Sequence, residues 1–233
     1  MRSYGQYCPI ARTSELLAER WTPIIIRNLL AGCRTFGDLL QGAPGISKAL
    51  LAQRLDLLER HGILTKERAG SGAGRCFYEL TEKGRELKAV TDAMGHWGAR
   101  WLELEPQQVD PAYVLWATCK LVDTELLPER GVVVRVELPG ETPDRYWMLL
   151  RRPHNELCTT YLGWEEDLIL HTNSATLAHW HLRHLTYDDA IRSGALRVEG
   201  SRPVLRAFLR SLRPSPFATT QPAPATAPQQ PAH

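Results

Sequence analysis

Between Thr35 and Leu80 the hydrophobic period changes once and glycine interrupts it three times, which narrows the possible fold more than any other stretch. Thr35 opens a short helical pattern with Asp38 three residues on, an acidic form of the capping box, and Phe36, Leu39 and Leu40 make its apolar side. Gly42-Ala43-Pro44-Gly45 cannot continue a helix. Ser47 then caps another, whose Leu50, Leu51, Leu55 and Leu58 recur at helical spacing, and His61-Gly62 ends it. Two extended runs follow, Ile63 to Arg68 and Arg75 to Leu80, joined by a glycine-rich tip at 69–74. Helix, tight turn, helix and hairpin make a DNA-reading shape: one helix fits the major groove while the hairpin lies against the backbone or minor groove.

The flanks extend this pattern. Ala11 to Ala18 and Trp21 to Leu30 each carry one apolar face, with Thr22 expected to cap the second helix and Pro23 in its first turn. After the hairpin, Thr81 is expected to cap one long helix from Glu82 to Leu104, apolar at Leu87, Val90, Met94, Trp97, Trp101 and Leu104. Gly95 and Gly98 each weaken that helix by about 1 kcal/mol relative to alanine, so tertiary or intersubunit packing must hold it. The overall net charge of +2 is too mild to announce nucleic-acid binding. Its distribution says more: residues 1–108 hold 15 Lys and Arg against 12 Asp and Glu, and residues 109–233 hold 13 against 14.

An ordered set of fragments in this region resembles the HxlR family of winged helix-turn-helix transcription regulators. It comprises Cys8-Pro9, Arg20-Trp21-Thr22, Arg34 to Leu39, Gly45-Ile46-Ser47, Leu51 to Leu55, Leu58 to Ile63 and Tyr78 to Gly84. The resemblance covers residues 8 to about 100. It implies a homodimer joined through terminal helices that controls nearby genes. On the helix from Ser47 to His61 the leucines face inward, leaving Ser47, Lys48, Ala49, Ala52, Gln53 and Asp56 outward. A glutamine amide can pair with the adenine edge, alanines leave room for a thymine methyl, and Lys48 or Arg54 can reach guanine or phosphate. Arg68 and Arg75 on the hairpin would add phosphate contacts. The family often has a second cation after Ser47-Lys48, where Ala49 stands here. Cys8 lies where some relatives carry a reactive cysteine, and Pro9 suggests a helix start that could favour its thiolate; a small buried residue at the dimer interface is the alternative.

Beyond a boundary near Pro106 and Pro111 the pattern changes. A helix is expected from Val109 to Leu127, then four strands, 131–138, 145–150, 156–162 and 167–171, forming an antiparallel meander, then helices at 174–180, 186–193 and 201–212. This order, with the stretch Leu185 to Gly200, looks like the sterol carrier protein-type lipid-binding fold, which implies an apolar tunnel between sheet and helices. Trp116, Tyr146, Trp147, Met148, Tyr161, Trp164 and Trp180 are the large side chains available to line it, or simply to fill the core. His179, His181 and His184 do not read as a metal site, because only His181 and His184 would share a helix face.

The expected organisation is α+β. A winged helix-turn-helix domain spans 1–108, a ligand-sensing domain with an antiparallel sheet 109–213, and a disordered tail 214–233, which holds six of the 16 prolines. The five cysteines, without a CxxC pair, suggest reduced thiols in a cytoplasmic protein. Neither a secretory segment, a membrane-spanning run, an enzymatic motif nor a cofactor fingerprint is present, so no cofactor is expected. The expected partners are double-stranded DNA, a second copy of the chain and a hydrophobic small-molecule effector, with repression as the expected activity and no membrane involved. A lipid-binding or protein-interaction module that uses the winged helix only to dimerise is the competing reading.

Overall fold

The computed structural model of the protein describes residues 3–68, 76–103, 109–161 and 163–223. The chain divides into two units, 1–94 and 95–233, and the division falls inside a helix. The first unit runs α1 (Pro9–Leu17), α2 (Thr22–Leu30), α3 (Phe36–Gln41), α4 (Lys48–Arg60), β1 (Leu64–Arg68), β2 (Cys76–Leu80), α5 (Glu82–Glu86) and the start of α6 (Lys88–Trp101). Ile25, Ile26, Leu39, Leu51, Leu55, Leu58, Ile63 and Leu64 are all buried and form its core. The hairpin pairs Leu64 with Leu80 through Arg68 with Cys76, and an isolated bridge from Phe77 to Thr35 ties it to the start of α3.

Local signals account for most of these boundaries. Thr35 Oγ1 accepts from the Asp38 amide at 3.1 Å while the Asp38 carboxylate accepts from the Thr35 amide at 3.2 Å, a complete capping box. Ser47 Oγ accepts from the Leu50 amide at 3.2 Å and so starts α4. Between them Gly45 takes a φ of +87°, a conformation that side chains disfavour, and the Trp21 ring lies against it.

Two expectations fail here. Thr22 does not cap α2: Trp21 holds the cap position in a left-handed conformation (φ 79°), and a 3.0 Å bond from the Thr22 amide to the Glu19 carbonyl turns Thr22 into the core. The expected long helix from Glu82 is broken at Leu87, where the Leu87 and Val90 amides bond to Gly84 and Leu87 three residues back. Thr81 still caps the first piece, accepting from the Gly84 amide at 3.1 Å.

The second unit continues with α7 (Pro111–Leu121), a 3-10 turn at Thr124–Leu126, β3 (Val132–Glu137), β4 (Arg145–Leu150), β5 (Glu156–Cys158), β6 (Leu168–His171), α8 (Ser174–His181), α9 (Tyr187–Arg192), β7 (Arg197–Gly200) and α10 (Arg202–Ser211). The expected four-stranded antiparallel meander is replaced by a mixed, five-stranded sheet in the order β5-β4-β3-β6-β7. After β5 the chain crosses to the far side of β3, and β6 pairs with β3 in parallel while every other pair is antiparallel. Asp167 seats this crossover: its carboxylate accepts from the Val133 amide at 2.9 Å and pairs with Arg130, and its own amide donates to the Val133 carbonyl. The short edge strand β7 is mostly exposed and carries no alternation that the sequence could show.

One face of the sheet is fully apolar. Val132, Val134 and Val136 of β3 pair with Leu150, Met148 and Tyr146 of β4, and Leu168 and Leu170 of β6 extend the same buried face. On the other face β3 presents Val133, Arg135 and Glu137, all half-buried. There Glu137 Oε2 lies 2.8 Å from His171 Nδ1, and Arg135 pairs with Glu166 at 2.9 Å. The helix α7 packs on α8, β4 and β5.

Residues 214–223, part of the stretch expected to be disordered, have defined positions. Phe217, the only bulky apolar residue after 213, sets its ring edge-on to His96 with centroids 5.3 Å apart, in space that a Cβ at Gly95 would occupy. Thr220 Oγ1 lies 2.8 Å from His96 Nδ1, and the Ala223 amide donates to the Arg100 carbonyl at 2.7 Å. Gly95 therefore serves close packing rather than a break in α6. Among the described residues no helix is long and apolar enough to cross a membrane.

Candidate functional site

The outer face of α4 follows directly from its leucine spacing. With Leu51, Leu55 and Leu58 buried, Ser47, Lys48, Ala49, Ala52, Gln53 and Asp56 are all exposed along one side. Lys48, Ala49, Ala52 and Gln53 lie within the first two turns, where a groove-reading helix makes its base contacts. The hairpin is held firmly beside this helix: the Tyr78 amide donates to the Arg34 carbonyl at 2.8 Å, Arg34 pairs with Glu79 at 2.5 Å, and Thr81 Oγ1 donates to the Gly62 carbonyl at 2.7 Å. Arg68 is exposed at the outer end of β1. Arg75 lies outside the described residues.

Arg54 does not join that face. Its guanidinium bonds the Glu19 carboxylate at 2.6 Å and the Arg20 carbonyl at 3.2 Å, and its side chain is only 13% exposed. Arg54 follows Gln53 by one position, so the helix turns it towards α1 and α2, where Glu19 neutralises it. It braces the recognition helix from behind. Lys66, which sequence reasoning passed over, lies 3.8 Å from Asp56 and over the Tyr78 ring, and so sets a cation beside the reading face. Strand alternation puts it on the face of the buried Leu64 and Tyr78, so no local pattern singles it out.

Cys8 is half-buried at the position preceding α1, its carbonyl accepting the first helical bond from the Arg12 amide at 2.9 Å. Around it α1 buries none of its residues, and Ile10, Val90 and Met94 are exposed. Pro9, Ile10, Thr13, Leu17, Val90 and Met94 line a groove of about 430 Å³ in this region. Elsewhere Cys33 and Cys119 are buried, and burial pushes the Cys119 thiol up to about 12.

In the second unit the seven large side chains do not line one cavity. Strand alternation sends Tyr146 and Met148 to the apolar face of the sheet and Trp147 to the other, where its indole donates to Glu166 at 2.8 Å and its ring meets Tyr161. Trp116 is buried on α7 against Tyr113. Tyr161 is exposed, its hydroxyl donating to the Trp164 carbonyl at 2.8 Å, and Trp164 is half-buried. Of the seven, only Trp180 borders the cavity of about 250 Å³ lined by Thr118, Trp180, His181, Arg183, Leu185, Tyr187, Leu209 and Leu212 among others. The histidine pairing also differs from helical expectation: His184 lies past the end of α8, its ring 5.8 Å from that of His179.

The exposed helix α4, following α3 through a tight turn, and the two-stranded wing define a winged helix-turn-helix regulator fold in the first unit. The HxlR-like helix-turn-helix family matches residues 16–106, and the chain belongs to that family. The uncharacterized HTH-type transcriptional regulator sll1512 of Synechocystis is 40% identical over 101 residues, 43% of this chain and 75% of its own length. YodB of Bacillus subtilis, an HTH-type transcriptional regulator, is 34% identical over 97 residues, 41% of this chain and 87% of its own. YvaP of the same organism, an uncharacterized HTH-type transcriptional regulator, is 27% identical over 100 residues, 42% of this chain and 93% of its own.

Proposed function

We propose that this protein is a sequence-specific DNA-binding repressor that works in the cytoplasm as a homodimer and is controlled by an apolar small molecule held in its C-terminal unit. The observation that carries the first part is the uninterrupted exposed run of Lys48, Ala49, Ala52 and Gln53 on α4, next to the exposed Arg68 of the wing. In this reading Gln53 reads an adenine edge, Ala49 and Ala52 admit thymine methyls, Ser47 and Lys48 reach the backbone or a guanine, and Arg68 and Arg75 hold phosphates. Dimerisation would use the exposed apolar residues Ile10 of α1 and Val90 and Met94 of α6. Cys8 would lie near that interface, where oxidation could disturb it.

The proposed domains are 1–108 for DNA and dimer contacts, 109–213 for sensing and 214–233 as a tail. The order of one helix, three antiparallel strands, a crossover strand, two helices, an edge strand and a last helix supports a sterol carrier protein-like second domain. A ligand that prefers one dimer arrangement would shift the population and move the two recognition helices away from half-sites spaced by about one DNA turn, roughly 34 Å.

The test is selection of an operator from random duplexes followed by a salt titration. Regulation predicts a palindromic motif and a steep loss of affinity with salt. Replacing Lys48 and Gln53 by alanine should abolish operator binding without lowering the melting temperature. A flat salt response, with unchanged activity of that double variant in cells, would refute DNA reading and favour a binding module that merely dimerises.

A further inference from the structure

We propose that the cavity bounded by α8, α9 and α10 is the effector site and that it takes a compact apolar carboxylic acid, with the Arg183 guanidinium holding the carboxylate. This rests on the reading of the C-terminal unit as a sensing domain, and it names a site and a ligand charge which that reading leaves open.

The wall is apolar and aromatic. Trp180, Leu185, Tyr187, Leu209 and Leu212 border it, and the Trp180 ring is braced by Tyr187 and Phe208, with centroids 6.5 and 6.4 Å away. A cavity of about 250 Å³ is smaller than the roughly 300–1,000 Å³ typical of drug-sized ligands, so the body of the occupant is one ring or a short branched chain. A sterol or long acyl chain does not fit within it.

The polar groups on the wall choose the charge. Arg183 and Arg213 both border the cavity, and among the described residues no Asp or Glu does. Arg213 is already committed to Asp123 at 2.6 Å. Among the described residues Arg183 has only a long bond, 3.5 Å, to the Leu212 carbonyl, which leaves its guanidinium able to close on an anion. His181 adds no charge, since burial lowers its imidazole to about 4, and its Nδ1 is engaged with Thr118 Oγ1 at 3.2 Å.

The backbone supplies an independent reason to single out Arg183. The α8 helix ends in a paired termination: the His184 amide donates to the His179 carbonyl at 2.8 Å and the Arg183 amide to the Trp180 carbonyl at 3.0 Å. That motif puts its penultimate residue in the left-handed region, where glycine is the usual occupant. Here Arg183 sits at φ +60°, one of two non-glycine residues with positive φ among those described. A residue kept in a conformation that costs stability, with its cationic group at the mouth of a cavity, fits a side chain retained for binding.

The experiment is isothermal titration of the full-length dimer with benzoate and phenylacetate, against benzamide and phenylacetamide as neutral shape controls. The proposal expects the acids to bind and the amides to bind at least about 10-fold more weakly, the difference a charge-assisted contact makes. Arg183→Gly should fold at least as well as the parent by thermal melting, because it relieves the left-handed strain, and should lose at least about 10-fold in acid affinity. Arg183→Lys should keep part of it. Equal binding of acids and amides, or acid binding within twofold of the parent in Arg183→Gly, overturns the proposal; so does an absence of binding by every acid. Operator affinity measured in parallel separates the two readings. Acid binding that depends on Arg183 but leaves DNA affinity unchanged supports the site and counts against sensing. Release of DNA by a long-chain fatty acid, undiminished in Arg183→Gly, overturns this site and leaves sensing intact.

Discussion

Arg54 offers a sharp test because its position on the recognition helix suggests a DNA contact while its geometry makes it a brace. Its side chain, 13% exposed, bonds Glu19 at 2.6 Å and the Arg20 carbonyl at 3.2 Å. Hydrogen bonds to charged groups contribute about 1.5–3 kcal/mol, but Glu19 is 35% exposed and solvent screens part of this. Arg54→Met, which keeps the apolar stem, should therefore destabilise the first unit by about 1–2 kcal/mol, or several degrees of melting temperature. Thermal melting should show that loss, and Glu19→Gln should show a comparable one that does not add to it. Operator affinity would be measured from low to high salt in the same samples. Each phosphate contact removed lowers the salt slope by about 0.9, so a brace predicts an unchanged slope, whereas Lys48→Ala should lower it. An unaltered melting temperature together with a flatter salt slope in Arg54→Met would make Arg54 a phosphate contact and not a brace.

Thr35→Ala removes one half of the capping box and should cost about 1 kcal/mol of stability in urea unfolding, with Ser or Asp at the same position restoring it. Gly84→Ala should be more damaging, because its Cβ would overlap the Ile63 carbonyl oxygen; about 1–3 kcal/mol is expected, and the variant melting like the parent would show that α5 can shift away. His181 predicts a pH dependence. Its pKa is about 4 when folded against 6.5 unfolded, so above pH 6.5 both states are neutral and its contribution is intact. As pH falls from 6.5 to 4 the unfolded state takes the proton first and stability declines, by about 3 kcal/mol at most. Urea unfolding across that range should show a smaller decline in His181→Gln than in the parent, and equal declines would count against a buried neutral imidazole.

The first unit was legible because its signals are local. The capping box at Thr35, the cap at Ser47 and the leucines at 51, 55 and 58 each act over three or four residues, and α3, α4 and the hairpin lie where these patterns predict. The exposed face of α4 follows from the same spacing, so Lys48, Ala49, Ala52 and Gln53 could be named in advance. Arg54 could not be assigned that way. Its direction depends on Glu19, 35 residues away, and no periodicity within α4 reports a partner on another element. Thr22 failed for a related reason: its capping chemistry was sound, but the left-handed turn at Trp21 took the hydroxyl into the core.

In the second unit the strands β3 and β4 and the helices α8 to α10 follow from local pattern, since alternation and capping are written along a single segment. Which strands meet depends on contacts between segments far apart in the chain. The parallel pairing of β6 with β3 depends on the crossover held by Asp167 at Val133, and it turns a four-stranded meander into a mixed sheet without changing any strand's own pattern. The same distinction governs the cavity. Trp180 was visible as a large side chain, but Arg183, Leu209 and Leu212 join it only because α8 and α10 converge. Hydrophobic period is a property of one element, whereas a binding site is a property of several, and the free energy that selects their arrangement comes from burial between residues far apart in the chain.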